Sequence, residues 1–104
     1  MEAINKFYLN NEKIEDVNEF NEDSEKGSII YEVLRVINGK AVFLKDHIER
    51  MKRSFALINM EFPFNTEDVE KKVNEVIKKN DNVLGNIKIT YNTASKNLKI
   101  YYIM

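Results

Sequence analysis

Residues 27–64 read GSIIYEVLRVINGKAVFLKDHIERMKRSFALINMEFPF, and their reading decides the fold. The β-branched and aromatic residues at the front of this stretch predict a strand over residues 28–37. It ends at Asn38-Gly39, a pair that tolerates the two positive φ angles of a type I′ hairpin turn, and residues 40–44 then pair back. Alternation places Tyr31, Val33, Arg35 and Ile37 on one face and Ile30, Glu32, Leu34 and Val36 on the other. The second face is the more apolar and is expected to pack on helices. Glu32 is out of place there, because a carboxylate on an apolar face must find a partner. The first face offers a phenol and a guanidinium, which suits a polar ligand but also an ordinary half-exposed strand.

A helix is expected over residues 46–57. Ile48, Met51, Phe55 and Ile58 recur at three- and four-residue steps and form one apolar stripe. Asp46 suits a cap or a first-turn acid. His47, Arg50 and Ser54 share a neighbouring face. His47 is the single histidine, and without a cysteine or second histidine it reads as a structural hydrogen-bonding group rather than a metal ligand. Arg50, taken alone, is equally a surface residue paired to Asp46 or Glu49.

Upstream, residues 4–9 alternate as a strand, Asn10-Asn11 suits a turn, and residues 12–14 return. Residues 15–26 are acidic and polar and read as a surface loop, anchored only by Val17 and Phe20. Its carboxylates match no calcium-loop spacing. Downstream, Asn65 is placed to cap a second helix, with Phe64 and Val69 as a hydrophobic staple and Val69, Val73, Val76 and Ile77 as its buried side. Residues 80–82 break that helix, and residues 85–91 and 98–103 form a last hairpin around a turn at 93–97. Tyr91, Tyr101 and Tyr102 would suit an aromatic platform for single-stranded nucleic acid. Without flanking basic clusters, core and interface packing is the better account.

The chain of 104 residues, 43% hydrophobic and 32% charged, is expected to be one domain over residues 1–104, of α+β class. The expected architecture is two layers, an antiparallel sheet of hairpins packed on two helices. Sixteen basic against 17 acidic residues leave a net charge of -1, which argues against a nucleic-acid or anionic-membrane partner. No apolar run reaches the roughly 20 residues of a membrane span, and the N-terminus lacks a signal-peptide pattern. A cytoplasmic location is expected. The absence of cysteine excludes disulfide and thiolate chemistry. Three glycines form no phosphate-binding loop, and no zinc motif or nucleophile-base set is present.

Tyr31-Glu32, Gly39, and then His47-Ile48, Arg50-Met51 and Ser54 match a Y/F-E-x6-G hairpin followed by an H-L/I-x-R-L-x-x-S helix. In this the chain resembles the small domain of the class IV aminotransferases, the fold-type-IV pyridoxal phosphate (PLP) enzymes. That family includes branched-chain and D-amino acid aminotransferases and aminodeoxychorismate lyase. The resemblance runs over nearly the whole chain and is most specific from Tyr31 to Ser54.

The resemblance implies that Arg50 binds the cofactor phosphate and that Tyr31, Val33 and Arg35 line the substrate pocket. The implied reaction moves an amino group between an amino acid and a 2-oxo acid, in a homodimer. The lysine that bonds the cofactor belongs to a second, larger domain, so no catalytic residue is expected within these 104 residues, nor turnover by this chain alone. Two departures stand out. The family's D-R-G-x-x-x-G-D-G segment reads NEDSEKGSI here, with only Gly27 retained. Asn92-Thr93 stands near where some members carry an arginine for the substrate carboxylate. The readings left open are half of a transaminase, half of a lyase of the aminodeoxychorismate type, or a stand-alone binding module.

Overall fold

A computed structural model describes residues 2–21 and 27–104. The strands are β1 (Ile4–Asn10), β2 (Lys13–Asp16), β3 (Ile29–Ile37), β4 (Lys40–Ala41), β5 (Gly85–Asn92) and β6 (Asn97–Ile103). The helices are α1 (Leu44–Leu57) and α2 (Thr66–Lys79). All six strands join one antiparallel sheet in the order β2-β1-β6-β5-β3-β4.

The expected alternation holds along β3: Ile30, Glu32, Leu34 and Val36 are buried, while Tyr31, Val33, Arg35 and Ile37 are exposed. The buried set meets Ile87, Ile89 and Tyr91 of β5 and Leu98, Ile100 and Tyr102 of β6. Over them lie Ile48, Met51 and Phe55 of α1 and Val69, Val73, Val76 and Ile77 of α2. One sheet face is therefore roofed by both helices, which makes the two-layer α+β domain. Burying each of these large aliphatic side chains contributes about 1.5–3 kcal/mol. Tyr91 and Tyr102 belong to this core while Tyr101 points to the opposite face, so the three tyrosines form no platform.

Local chemistry sets the boundaries. Asn38 and Gly39 both have positive φ, as a type I′ turn requires. Asn65 caps α2, its side chain accepting from Glu67 N at 2.8 Å. Three details differ from the sequence reading. The strand expected over 40–44 keeps only Lys40–Ala41, because α1 starts at Leu44, two residues ahead of Asp46. The capping position falls to Phe43, held left-handed at φ 55 with no side-chain cap, and Asp46 serves as the first-turn acid. Ile58 lies past the end of α1 and is 44% exposed, so the apolar stripe stops at Phe55.

The returning strand expected over 12–14 is β2, Lys13–Asp16, so it takes Glu15 and Asp16 from the segment read as a loop, and Val17–Glu19 is a single 3-10 turn. Val17 and Phe20 anchor it, as expected, packing with Ala3, Tyr8 and Tyr101 on part of the open sheet face. Residues 22–26 of that loop, and most of the segment that departs from the family pattern, lie outside the described residues. Gly27, the retained glycine, sits at φ 86, where an added Cβ would fall 2.6 Å from Ala94 Cβ. Both the backbone angle and the contact favour glycine there.

Candidate functional site

Strand β3 separates two groups of candidate residues. On the helix side, the Glu32 carboxylate is buried and accepts from two residues of α1. His47 Nδ1 donates at 2.8 Å, and Arg50 Nε donates to both carboxylate oxygens at 3.1 Å. Arg50 Nη2 lies 3.0 Å from Oε1. The His47–Arg50 spacing of three residues puts both side chains over the same point of β3, which answers the question of Glu32's partner. The Glu32 hydrogen bonds, and then its charge, raise the Arg50 pKa against a smaller effect of burial, so the guanidinium is a permanent cation.

Arg50 does not pair with Asp46 or Glu49; Glu49 instead meets Lys52. Its side chain stays 61% exposed, and Nη1 takes no part in the Glu32 contact. A surface depression of about 370 Å³ is lined by Phe43, Asp46, His47, Arg50 and Arg53. The arrangement is a guanidinium fixed through one edge, with the other edge available to an anion and a second arginine beside it.

On the open side, Tyr31, Val33 and Arg35 stand in a row on β3, opposite Thr90, Lys88 and Asn86 of β5. Arg35 donates to Asn86 Oδ1 at 3.3 Å. Tyr31 is more than half exposed, and the Lys88 ammonium lies 5.0 Å from its ring centroid. The structure thus groups Tyr31, Val33 and Arg35 as expected, and sets Arg50 on the other side of their strand. Sequence reasoning missed Glu32 as the common anchor and Lys88 as part of the open face. The first was signalled by the acid on an apolar face, the second by the alternation of β5, which turns Asn86, Lys88 and Thr90 away from the core.

With this geometry in view, comparison with known proteins is informative. The family model for amino-transferase class IV matches residues 29–102. The chain belongs to that family. The D-alanine aminotransferase of Listeria monocytogenes serotype 1/2a (strain 10403S) is 31% identical over 61 residues, which is 59% of this chain and 21% of that protein. The D-alanine aminotransferase of Staphylococcus epidermidis (strain ATCC 12228) is 35% identical over 63 residues, 61% of this chain and 22% of the other. The class IV chain described here therefore aligns with about a fifth of the length of the curated relatives it matches. A solved structure from Thermotoga maritima, provisionally assigned as a branched-chain amino acid aminotransferase, superimposes with a TM-score of 0.72. That match covers 90% of this chain and 36% of the other at 19% identity, so it bears on fold alone. No helix among the described residues is long and apolar enough to cross a membrane.

Proposed function

We propose that this class IV domain forms the small half of a PLP-dependent aminotransferase, holding the cofactor phosphate with Arg50 and the substrate with the open face of β3. The observation that carries the reading is the Glu32 clamp, which fixes Arg50 through Nε and leaves Nη1 for a second anion. Such a donor set fits a phosphate dianion, which a guanidinium engages through charge-assisted bonds. Bound PLP supplies the electron sink that labilises the bonds at the amino-bearing carbon.

The chain's own residues supply placement. Arg50 positions the phosphate end, and Glu32 prevents the guanidinium from swinging away. Tyr31 offers its hydroxyl, and Arg35 its charge, to a carboxylate on the substrate, while Val33 gives an apolar wall between them. Transfer itself needs the larger domain that carries the cofactor-bonding lysine in this family, and a second copy of the assembly completes the dimer. The substrates on this reading are an amino acid and a 2-oxo acid, and the cytoplasm is the expected setting.

The test is PLP affinity with and without Arg50, followed by the cofactor's absorbance and phosphorus resonance, with circular dichroism to confirm folding. Arg50→Ala is expected to weaken binding by about 10- to 150-fold, the equivalent of ~1.5–3 kcal/mol for a hydrogen bond to a charged group. Equal affinity in the two proteins removes Arg50 from the phosphate site.

A further inference from the structure

Asn38 is the single asparagine of this chain that precedes a glycine. It is exposed at the tip of the β3–β4 turn, and its side-chain amide makes no hydrogen bond among the described residues. Other asparagines are committed to the fold: the side-chain oxygens of Asn11, Asn65, Asn80 and Asn92 each accept from a backbone N–H. The Gly39 N–H likewise donates to no acceptor among the described residues, because the pair that closes this two-residue turn is Ile37 with Lys40. An amide carbon and the backbone nitrogen that follows it are thus both left open to chemistry.

The Gly39 nitrogen attacks Asn38 Cγ, its proton leaves with the side-chain nitrogen as ammonia, and a five-membered cyclic imide remains. Water then opens one of the two imide carbonyls. Opening at Cγ gives an aspartate on an ordinary backbone. Opening at the backbone carbonyl leaves the chain running through Cβ and Cγ, an isoaspartate. The balance is one water consumed and one ammonia released, with no oxidant or reductant. Glycine favours ring closure, since it has no Cβ to crowd the nitrogen and leaves the backbone free to rotate. That rotation needs the tip to open, and little holds it: β4 has two residues, followed by one bond from Val42 N to the Arg35 carbonyl at 2.8 Å. Local openings of this kind cost far less than global unfolding.

We propose that Asn38 is a site of spontaneous covalent modification in the folded protein, converting through the imide to aspartate and isoaspartate, and that the isoaspartate loosens the β3–β4 turn. The added backbone carbon lengthens a turn whose type I′ geometry is set by two residues of positive φ. The Ile37–Lys40 and Val36–Ala41 pairs then lose register, and with them the short lead through Val42 and Phe43 into α1. Both products also place a carboxylate where the fresh chain carries a neutral amide. The site stands on the turn and does not depend on PLP or on amino transfer.

The test is incubation of the 104-residue chain at mildly alkaline pH, where the glycine nitrogen gives up its proton more readily, with samples mapped by proteolysis and mass spectrometry. A gain of one dalton is expected first on the peptide holding Asn38, at least ~10-fold faster than at any other asparagine, as for a barrier lower by ~1.4 kcal/mol. Fragmentation of that peptide separates aspartate from isoaspartate. Asn38→Gly, which suits positive φ and has no amide, is expected to stay folded and to abolish the early gain. The isoaspartate fraction, isolated by ion exchange, is expected to lose amide-exchange protection at Lys40 and Val42 relative to Asn38→Asp, which carries the same charge on an ordinary backbone. Conversion at Asn38 no faster than elsewhere overturns the proposal. So does conversion that proceeds only in unfolding urea, and so does an isoaspartate fraction as well protected as Asn38→Asp.

Discussion

Glu32 shows how one buried residue can tie packing to the placement of a charge. Its buried carboxylate is met by His47 and Arg50, so it adds a polar tie between α1 and β3 and aims a cation outward. Glu32→Gln is expected to cost about 1.5–3 kcal/mol, since hydrogen bonds to a charged acceptor are lost in a buried place. A urea midpoint unchanged from wild type would show that the clamp contributes nothing to folding. Tyr8 provides a second case, set by pH. Burial, followed by the hydrogen bond and charge of Glu15, pushes its phenol from 10.0 to about 12. The folded state therefore holds this proton more tightly than the unfolded chain between those values. Its stabilising effect is complete below pH 10 and is lost as pH rises through about 12. Tyr102, raised by burial, falls in the same alkaline range, so the Tyr8 share is isolated by difference. Denaturant midpoints from pH 9.5 to 12 should fall more steeply for wild type than for Tyr8→Phe; parallel curves contradict this account. Of these residues, Glu32 was legible as an anomaly in the sequence. The Tyr8–Glu15 contact was not, because it depends on the β1–β2 register.

The elements were mostly legible because each carries its own local signal. Asn38-Gly39 fixes the hairpin, Asn65 the start of α2, and the periodicity of Ile48, Met51 and Phe55 the buried face of α1. The exceptions arise where tertiary contacts override local chemistry. Asn80 ends α2 as expected, but its buried amide also accepts from Lys6 N and Phe7 N and donates to Phe7 O, contacts that carry no local signal. It thus substitutes for a ladder partner where β1 shifts register against β6. The start of α1 was misread because Phe43, and not Asp46, makes the corner. A left-handed conformation is costly for an aromatic residue, and Phe43 is 71% exposed, so little burial offsets the strain. Phe43→Asn, a residue that tolerates this region, is expected to raise stability by about 1 kcal/mol. An increase in the thermal midpoint of the isolated chain checks it, and a decrease would show that the Phe43 ring contributes more than its backbone costs.

At the scale of the whole molecule, the sheet is finished on one side and unfinished on the other. The helix side has a closed core, which gives the chain its own means of folding. The open side leaves Ile29, Tyr31 and Val33 exposed on β3, and among the described residues β4 pairs only with Val36 and Ile37. Because the Arg35 carbonyl accepts from Val42 N, the odd-numbered residues of β3 turn their backbone groups toward this edge. The edge from Ile29 to Val33 therefore presents hydrogen-bonding groups beside apolar side chains, and Leu57 and Ile58 lie alongside. Such an edge pairs readily with another strand. None of this was readable from β3 alone, whose composition suits a central strand as well as an edge; it follows from how early α1 begins and how short that leaves β4. We expect the 104-residue chain to self-associate through this edge as its concentration rises, in line with the dimer proposed for the whole enzyme. Val33→Lys places a charge on the exposed face and should weaken that association while leaving the helix-side core intact. Sedimentation equilibrium distinguishes the outcomes. A concentration-dependent dimer that becomes monomeric in Val33→Lys supports pairing through β3, whereas a wild-type chain that stays monomeric, or a dimer indifferent to residue 33, places the contact elsewhere or removes it.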